Sequence, residues 1–332
     1  MNEPIVFSSM QPSGNLTIGN YIGTLLNWIK LQKKNFCIYS IADLHAITIY
    51  KNIKNIYKKN LDTLATYLAC GIDPYKNIIF LQSSIHQHNQ LNWILNCHSY
   101  FGELNRMTQF KDKLKTYSLK KVNIGLFNYP ILMASDILIF NANKVPIGED
   151  QKQHLELTRN LARRFNILYG DIFNIPKSII PKIGSRIMSL SDPRKKMSKS
   201  DSNKNNIIFL LDKKKDFIRK IKKSITDSDI SKSIKYDLIN KPGISNLIIL
   251  LASIRNTSIS LIEKEFYGKS YKNFKDCIIY YLSRFLISFQ EKYYLFRSDE
   301  NFLKKILISG SEKASLKADI MIKKIFNKIN FF

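Results

Sequence analysis

The sequence predicts an α/β protein in which a doubly wound parallel sheet carries a helical insertion and is followed by an all-α C-terminal domain. Three short apolar runs, at 5–7, 36–42 and 78–81, have the length and bounding residues of buried strands. Helical spacing falls between them, so the order is β-α-β-α-β, which requires parallel pairing through crossovers. From about Asp212 onward apolar residues recur at helical spacing with no further strand signal.

The first strand, Ile5-Val6-Phe7, leads into QPSGNLTIGN at Gln11–Asn20. Pro12, Gly14 and Gly19 mark a turn there, with Ser13, Asn15 and Thr17 as candidate N-caps. Ile22, Leu25, Leu26 and Ile29 then repeat at i, i+3, i+4 and i+7, which predicts one buried helix face. A helix N-terminus with gathered N–H groups and small hydroxyls binds anions. The spacing is neither GxGxxG nor GxxxxGK[ST], so an ordinary strand-to-helix turn is the competing reading.

The second run, 36–42, ends at Asp43-Leu44-His45. Ile53, Ile56, Tyr57, Leu64 and Leu68 space out a helix that Gly71 and Pro74 terminate, and 78–81 follows as the third strand. In such a sheet ligands sit beyond the carboxyl ends of the strands, where both QPSGNLTIGN and Asp43-Leu44-His45 fall.

From about Gln90 the strand signal stops and helical segments follow, predicting an insertion over about 85–170. Asp136 stands inside the apolar run 131–140, and a buried acid must find a partner or lose its charge. Residues 170–206 read as irregular and end in DPRKKMSKSDSN, with Arg194, Lys195, Lys196 and Lys199 crowded into a basic loop expected to be mobile over 194–203. Helices are expected at 217–225, 244–254, 271–296 and 314–331. The domain boundary is placed between 206 and 207.

With 332 residues, 45% of them hydrophobic, the chain can build a large core. Cys37, Cys70, Cys97 and Cys277 are scattered without a CxxC pair, and the five histidines show no HExxH spacing, so neither a disulfide framework nor a protein-held metal is expected. The opening MNEPIVFSS lacks the features of a signal peptide and no window nears 18 uninterrupted apolar residues, so a cytoplasmic protein without a membrane partner is expected. The net charge of +26 suits a polyanionic partner. It is weak evidence, because residues 204–332 hold half of each sign, 26 of 52 basic and 13 of 26 acidic residues.

Two stretches together resemble the paired motifs of class I aminoacyl-tRNA synthetases: TIGN at Thr17–Asn20, in the place of HIGH, and KMSKS at Lys196–Ser200. QPSGNLTIGNYIG, GELNRMTQFKDK, YPILMASDIL, VPIGEDQKQHLELTRNLARRF and RIMSLSDPRKKMSKSD are similar to blocks of the bacterial, tryptophan-specific members of that family. The resemblance implies a Rossmann-type catalytic domain over 1–206, with dimerisation through the insertion, and an anticodon-binding domain over 207–332. It implies ATP as substrate with Mg²⁺ on its phosphates, L-tryptophan and tRNA(Trp) as partners, a homodimer, and no role for DNA.

Residue by residue, the resemblance places Gln11, Pro12, Ser13, Gly19 and Asn20 at ATP, Gly148, Glu149 and Asp150 at its adenosine end, and Ile187 against adenine. Lys196, Met197, Ser198, Lys199 and Ser200 belong to the phosphate loop, and Lys196, Lys199, Lys113 and Thr17 are the implied catalytic set. Asp136 is implied as acceptor of the indole N–H, a contact phenylalanine cannot make. Phe7, Tyr129, Met133, Val145 and Ile147 are the implied walls, with His45 and Gln151 near the substrate's amino end. Ser9 departs from the family's usual glycine. A tyrosine-specific relative, an inactive RNA-binding relative and a small-molecule nucleotidyltransferase are the competing readings.

Overall fold

The computed structural model describes residues 3–12, 14–49, 54–116, 122–180, 186–199, 201–226 and 233–331, with the side chains of 113–116 outside that description. The chain divides into two compact units. The first comprises 1–13, 29–180 and 296–332, and the second 14–28 and 181–295.

The first unit holds one all-parallel sheet of five strands: β1 (Ile5–Met10), β2 (Phe36–Ile41), β3 (Ile78–Leu81), β4 (Lys144–Pro146) and β5 (Lys177–Ile179). Their order across the sheet is β3-β2-β1-β4-β5. Ile5 to Met10 pair in register with Phe36 to Ile41, and Ile38 to Ile41 of β2 continue the ladder onto Ile78 to Leu81 of β3. The order reverses between β1 and β4, which opens a crevice at their carboxyl ends.

β4 and β5 correct the expectation that strands stop before residue 90. Each has three residues, too few to show a period, and each forms only by adding to a sheet already built. The helix Ile56–Cys70 closes on Gly71, whose φ of 97° is the left-handed conformation that ends a helix without strain. The buried core gathers Phe7, Ile38, Phe80, Phe140, Leu161 and Phe165.

The helix Glu300–Lys328 also belongs to this unit. β3 is an edge strand, and Gly310 lies so close to it that an added Cβ would run into the Ile79 carbonyl. That contact explains why 296–332 groups with the sheet and not with the preceding helices.

In the second unit the segment opening with TIGN is sewn to the chain 190 residues later. Ile18 N–H donates to the Ile208 carbonyl and Leu210 N–H to that of Leu16, both at 2.9 Å. The helix runs Ile18–Asn20, then a π-helical turn over Tyr21–Leu25, then Leu26–Leu31. The wider turn shifts the buried face to Ile18, Ile22, Leu25 and Trp28, leaving Leu26 and Ile29 only half-buried. Residues 14–28 and 186–206 belong to this second unit together with the helices Lys214–Lys223, Pro242–Arg255, Ile259–Glu265 and most of Tyr271–Ser298. Pro242–Arg255 is buried along most of its length, as a core helix is. Among the described residues no single helix is long and apolar enough to cross a membrane.

Candidate active site

In the first unit, Tyr129, Met133 and Asp136 stand at i, i+4 and i+7 of the helix Ile124–Leu138 and so share one face. Asp136 is 2% exposed, and three side chains from other elements reach it. Nε2 of His45, from the turn after β2, lies 2.8 Å from Oδ2. The Gln82 amide, from the turn after β3, donates to both carboxylate oxygens at 2.9 Å. Nδ1 of His88, on the helix Gln87–Cys97, lies 2.8 Å from Oδ1. Burial pushes the Asp136 carboxyl up, but His88 and His45 outweigh it and hold the group at about 2. Asp136 is therefore a buried carboxylate, not a neutral acid. This answers the question its place in an apolar run raises: it keeps its charge because it has partners.

Around it, Phe7 of β1 is buried and stacks on Phe140 at 5.7 Å, while Val145 on β4 and Ile147 just beyond it are also buried. Tyr129 Oη lies 2.9 Å from Nε2 of His154, whose Nδ1 lies 2.9 Å from Oε1 of Gln151. Gln151 in turn donates to Asp150 Oδ2 at 3.2 Å. The Ser9 hydroxyl donates to the Ser40 carbonyl at 3.1 Å, so β2 absorbs this polar group.

Gln11 and Pro12 directly follow β1, and Gly148, Glu149 and Asp150 follow β4 in a 3₁₀ turn over Glu149–Gln151. These are the two strands flanking the point where the sheet order reverses, the expected place for a nucleotide. Ser13, the side chain of Lys113, and Ser200 lie outside the described residues.

In the second unit, Thr17 is the N-cap of its helix. Its hydroxyl accepts from the Asn20 N–H at 3.2 Å, while the Asn20 side-chain oxygen accepts from Thr17 N–H at 3.0 Å. Thr17, one of the candidate caps, thus fills the N-cap position. Gly19 faces the other motif directly: an added Cβ would stand 3.5 Å from that of Ile187 and 4.0 Å from that of Met197. Met197 is fixed by an antiparallel pairing in which its N–H donates to the Ile187 carbonyl at 2.9 Å and Ser189 N–H donates to Lys195 at 2.8 Å. Lys196 and Ser198 flank it on the same segment. TIGN and KMSKS thus converge within one unit. Burial lowers Lys199 to about 8.

Sequence reasoning missed Gln82, His88 and His154. Gln82 and His88 belong to the polar run QSSIHQH just past β3, where the strand-end rule alone gives a signal. His154 sits in an amphipathic helix with nothing to distinguish it.

A family model described as tRNA synthetases class I (W and Y) matches residues 1–286. The tryptophan–tRNA ligase of Buchnera aphidicola subsp. Schizaphis graminum (strain Sg) is 54% identical over 330 residues, 99% of this chain and 98% of that protein. The structure of tryptophanyl-tRNA synthetase from Mycoplasma pneumoniae superposes with a TM-score of 0.91 at 33% identity, covering 99% of this chain and 98% of that one. That of the Campylobacter jejuni tryptophanyl-tRNA synthetase complexed with ADP and tryptophan does so with a TM-score of 0.80 at 31% identity, covering 98% and 99%.

Proposed function

Because the chain belongs to the class I tRNA synthetases that serve tryptophan and tyrosine, we infer that it is a tryptophan–tRNA ligase. It activates L-tryptophan with ATP to tryptophanyl-adenylate and pyrophosphate, then passes the acyl group to the terminal adenosine of tRNA. The observation that carries the reaction class is the meeting of Gly19 with Ile187 and Met197, which joins the two motifs such an enzyme uses on one triphosphate.

In the first step a carboxylate oxygen of tryptophan bonds to the α-phosphorus of ATP as the bond to the bridging oxygen breaks. Pyrophosphate leaves with the electron pair. In the second, the 2′-hydroxyl of the tRNA attacks the acyl carbon, loses its proton, and AMP departs. No protein nucleophile takes part. Lys196 and Lys199, aided by Lys113, offset charge developing on the phosphates, and ATP enters as its Mg²⁺ complex. In the first unit Gln11 and Pro12 line the ATP site and Gly148, Glu149 and Asp150 take its adenosine end; in the second, Ile187 is the adenine contact, and Thr17, Gly19 and Asn20 keep the helix N-terminus in shape for the phosphates.

Asp136 selects the side chain by accepting the indole N–H; His45 yields or shares its place on Oδ2. Phenylalanine brings no donor to that desolvated carboxylate: Gln82 and His88 keep the charge paired, but the hydrogen bond the indole would add is forfeited, a difference of about 1–3 kcal/mol. A phenol also donates, so tyrosine is excluded by the shape of the walls Phe7, Met133, Val145 and Ile147. The helical residues beyond 207 read the tRNA, and two copies of the chain form the working enzyme. Pyrophosphate exchange with each of the twenty amino acids tests the assignment: exchange driven by tryptophan is expected, and exchange driven by tyrosine instead would overturn it.

A further inference from the structure

Resting on the tryptophan reading above, we propose that His154 is a positioning residue that fixes the direction of a hydrogen-bond chain and so makes the Tyr129 hydroxyl an acceptor for the substrate's α-ammonium group. The chain starts at Asp150. A carboxylate only accepts, so the Gln151 group 3.2 Å from Oδ2 is its NH₂. The Gln151 oxygen therefore faces Nδ1 of His154 at 2.9 Å, and it too only accepts. Hence Nδ1 carries the imidazole hydrogen.

His154 is 1% exposed, and burial, against the pull of Asp150, lowers it to about 4. At neutral pH it has one hydrogen, already committed, so Nε2 is bare. The only way to satisfy the 2.9 Å contact with Tyr129 is for the tyrosine to donate. Burial and the Asp150 charge both raise the Tyr129 phenol, which keeps that hydrogen in place. Every donor in the chain points toward Asp150. What Tyr129 offers on its other side is lone pairs alone, and the nearby Asp150 charge adds a potential that favours a cation. A ligand group that is cationic and a pure donor, an ammonium, matches this.

The competing role is simple adhesion between the helices Ile124–Leu138 and Lys152–Tyr169, which Tyr129 and His154 bridge. Indole-3-propionate, which is tryptophan without its amino group, separates the two. The full chain, wild type and His154→Phe, is titrated calorimetrically with both ligands. The expected result is that His154→Phe weakens tryptophan roughly tenfold or more and leaves indole-3-propionate within about twofold. Tyr129→Phe supplies a second measurement: it should show the same selective loss, and adding His154→Phe to it should cost nothing further. Equal weakening of both ligands, an unchanged tryptophan affinity, or additive losses would overturn the proposal. Wild-type protein that binds neither ligand would instead remove the tryptophan reading on which it rests.

Discussion

Gly19 stands against Ile187 with room for a methyl group and little more, since a Cβ built on it would lie 3.5 Å from the Ile187 Cβ. An alanine there makes an ordinary contact. A valine drives its branches toward Ile187 and Met197 and must push the KMSKS segment away from the helix N-terminus. Overpacking of this kind costs about 1–3 kcal/mol, or about a tenfold effect and upward on a rate that needs both segments. Gly19→Ala should stay near wild type in tryptophan-dependent pyrophosphate exchange while Gly19→Val loses most of it. A fully active valine variant would show that the two motifs need not meet.

Lys199 is buried enough to be lowered to about 8. Its charge is therefore mostly present near pH 7 and declines as pH rises through 8, whereas an ordinary lysine would hold it to about 10. On the role at the ATP phosphates proposed for it, the KM for ATP should climb above pH 8 in the wild type. Lys199→Met should depress adenylate formation at every pH, remove that climb, and leave the tryptophan dissociation constant nearly unchanged. Steady-state exchange kinetics from pH 7 to 9.5, with calorimetry for tryptophan, provides the check.

Asp136 is the one carboxylate shared by His45, Gln82 and His88. Asp136→Asn keeps the shape and removes the charge, so it should raise the KM for tryptophan about ten- to hundredfold while the KM for ATP stays put. Discrimination against phenylalanine should shrink, because phenylalanine never used the acceptor. Asp136→Ala goes further, stranding two buried imidazoles, and should lower stability by about 3–5 kcal/mol in urea unfolding.

How much of this could be read beforehand depends on what fixes each feature. β1, β2 and β3 were legible because each is an apolar run of sufficient length between turn formers. The three-residue β4 and β5 were not, since their pairing is imposed by the sheet they join. The buried face of the first helix came out shifted onto Trp28 because a π-helical turn breaks the 3.6 period on which spacing arguments rely. Asp136 announced itself as an acid in an apolar run. His88 and His154 did not, because a histidine amid ordinary helical residues carries no mark of the partner it will meet from another element.

The close approach of Gly310 to Ile79 has its own consequence. Glycine inside a long helix is disfavoured by about 1 kcal/mol relative to alanine, so Gly310→Ala on an isolated helix would stabilise it. Here the added methyl meets the β3 backbone, which cannot move without breaking its ladder to β2. The variant should be destabilised by at least about 1–3 kcal/mol, the cost of overpacking, with the sign opposite to helix propensity. Urea midpoints of wild type and variant decide it, and a stabilised variant would mean that the helix does not press on the strand.

His154 also ties stability to pH. Its pKa is about 4 when folded, against an ordinary value near 6.5 in the unfolded chain. Between these two the unfolded state binds the extra proton, so the folded state loses stability as pH falls from 6.5 toward 4 and holds its full share above 6.5. Integrated over that window the loss approaches about 3 kcal/mol. Asp150 favours the imidazolium, but burial outweighs it, with His45 acting in the same direction as burial. Asp136 does not blur the window, because its own contribution is lost only below the ordinary carboxylate range, toward about 2. Urea unfolding at pH 7, 6 and 5 should show a declining free energy in the wild type and a flatter profile in His154→Gln. Parallel profiles would place the proton uptake on some other group.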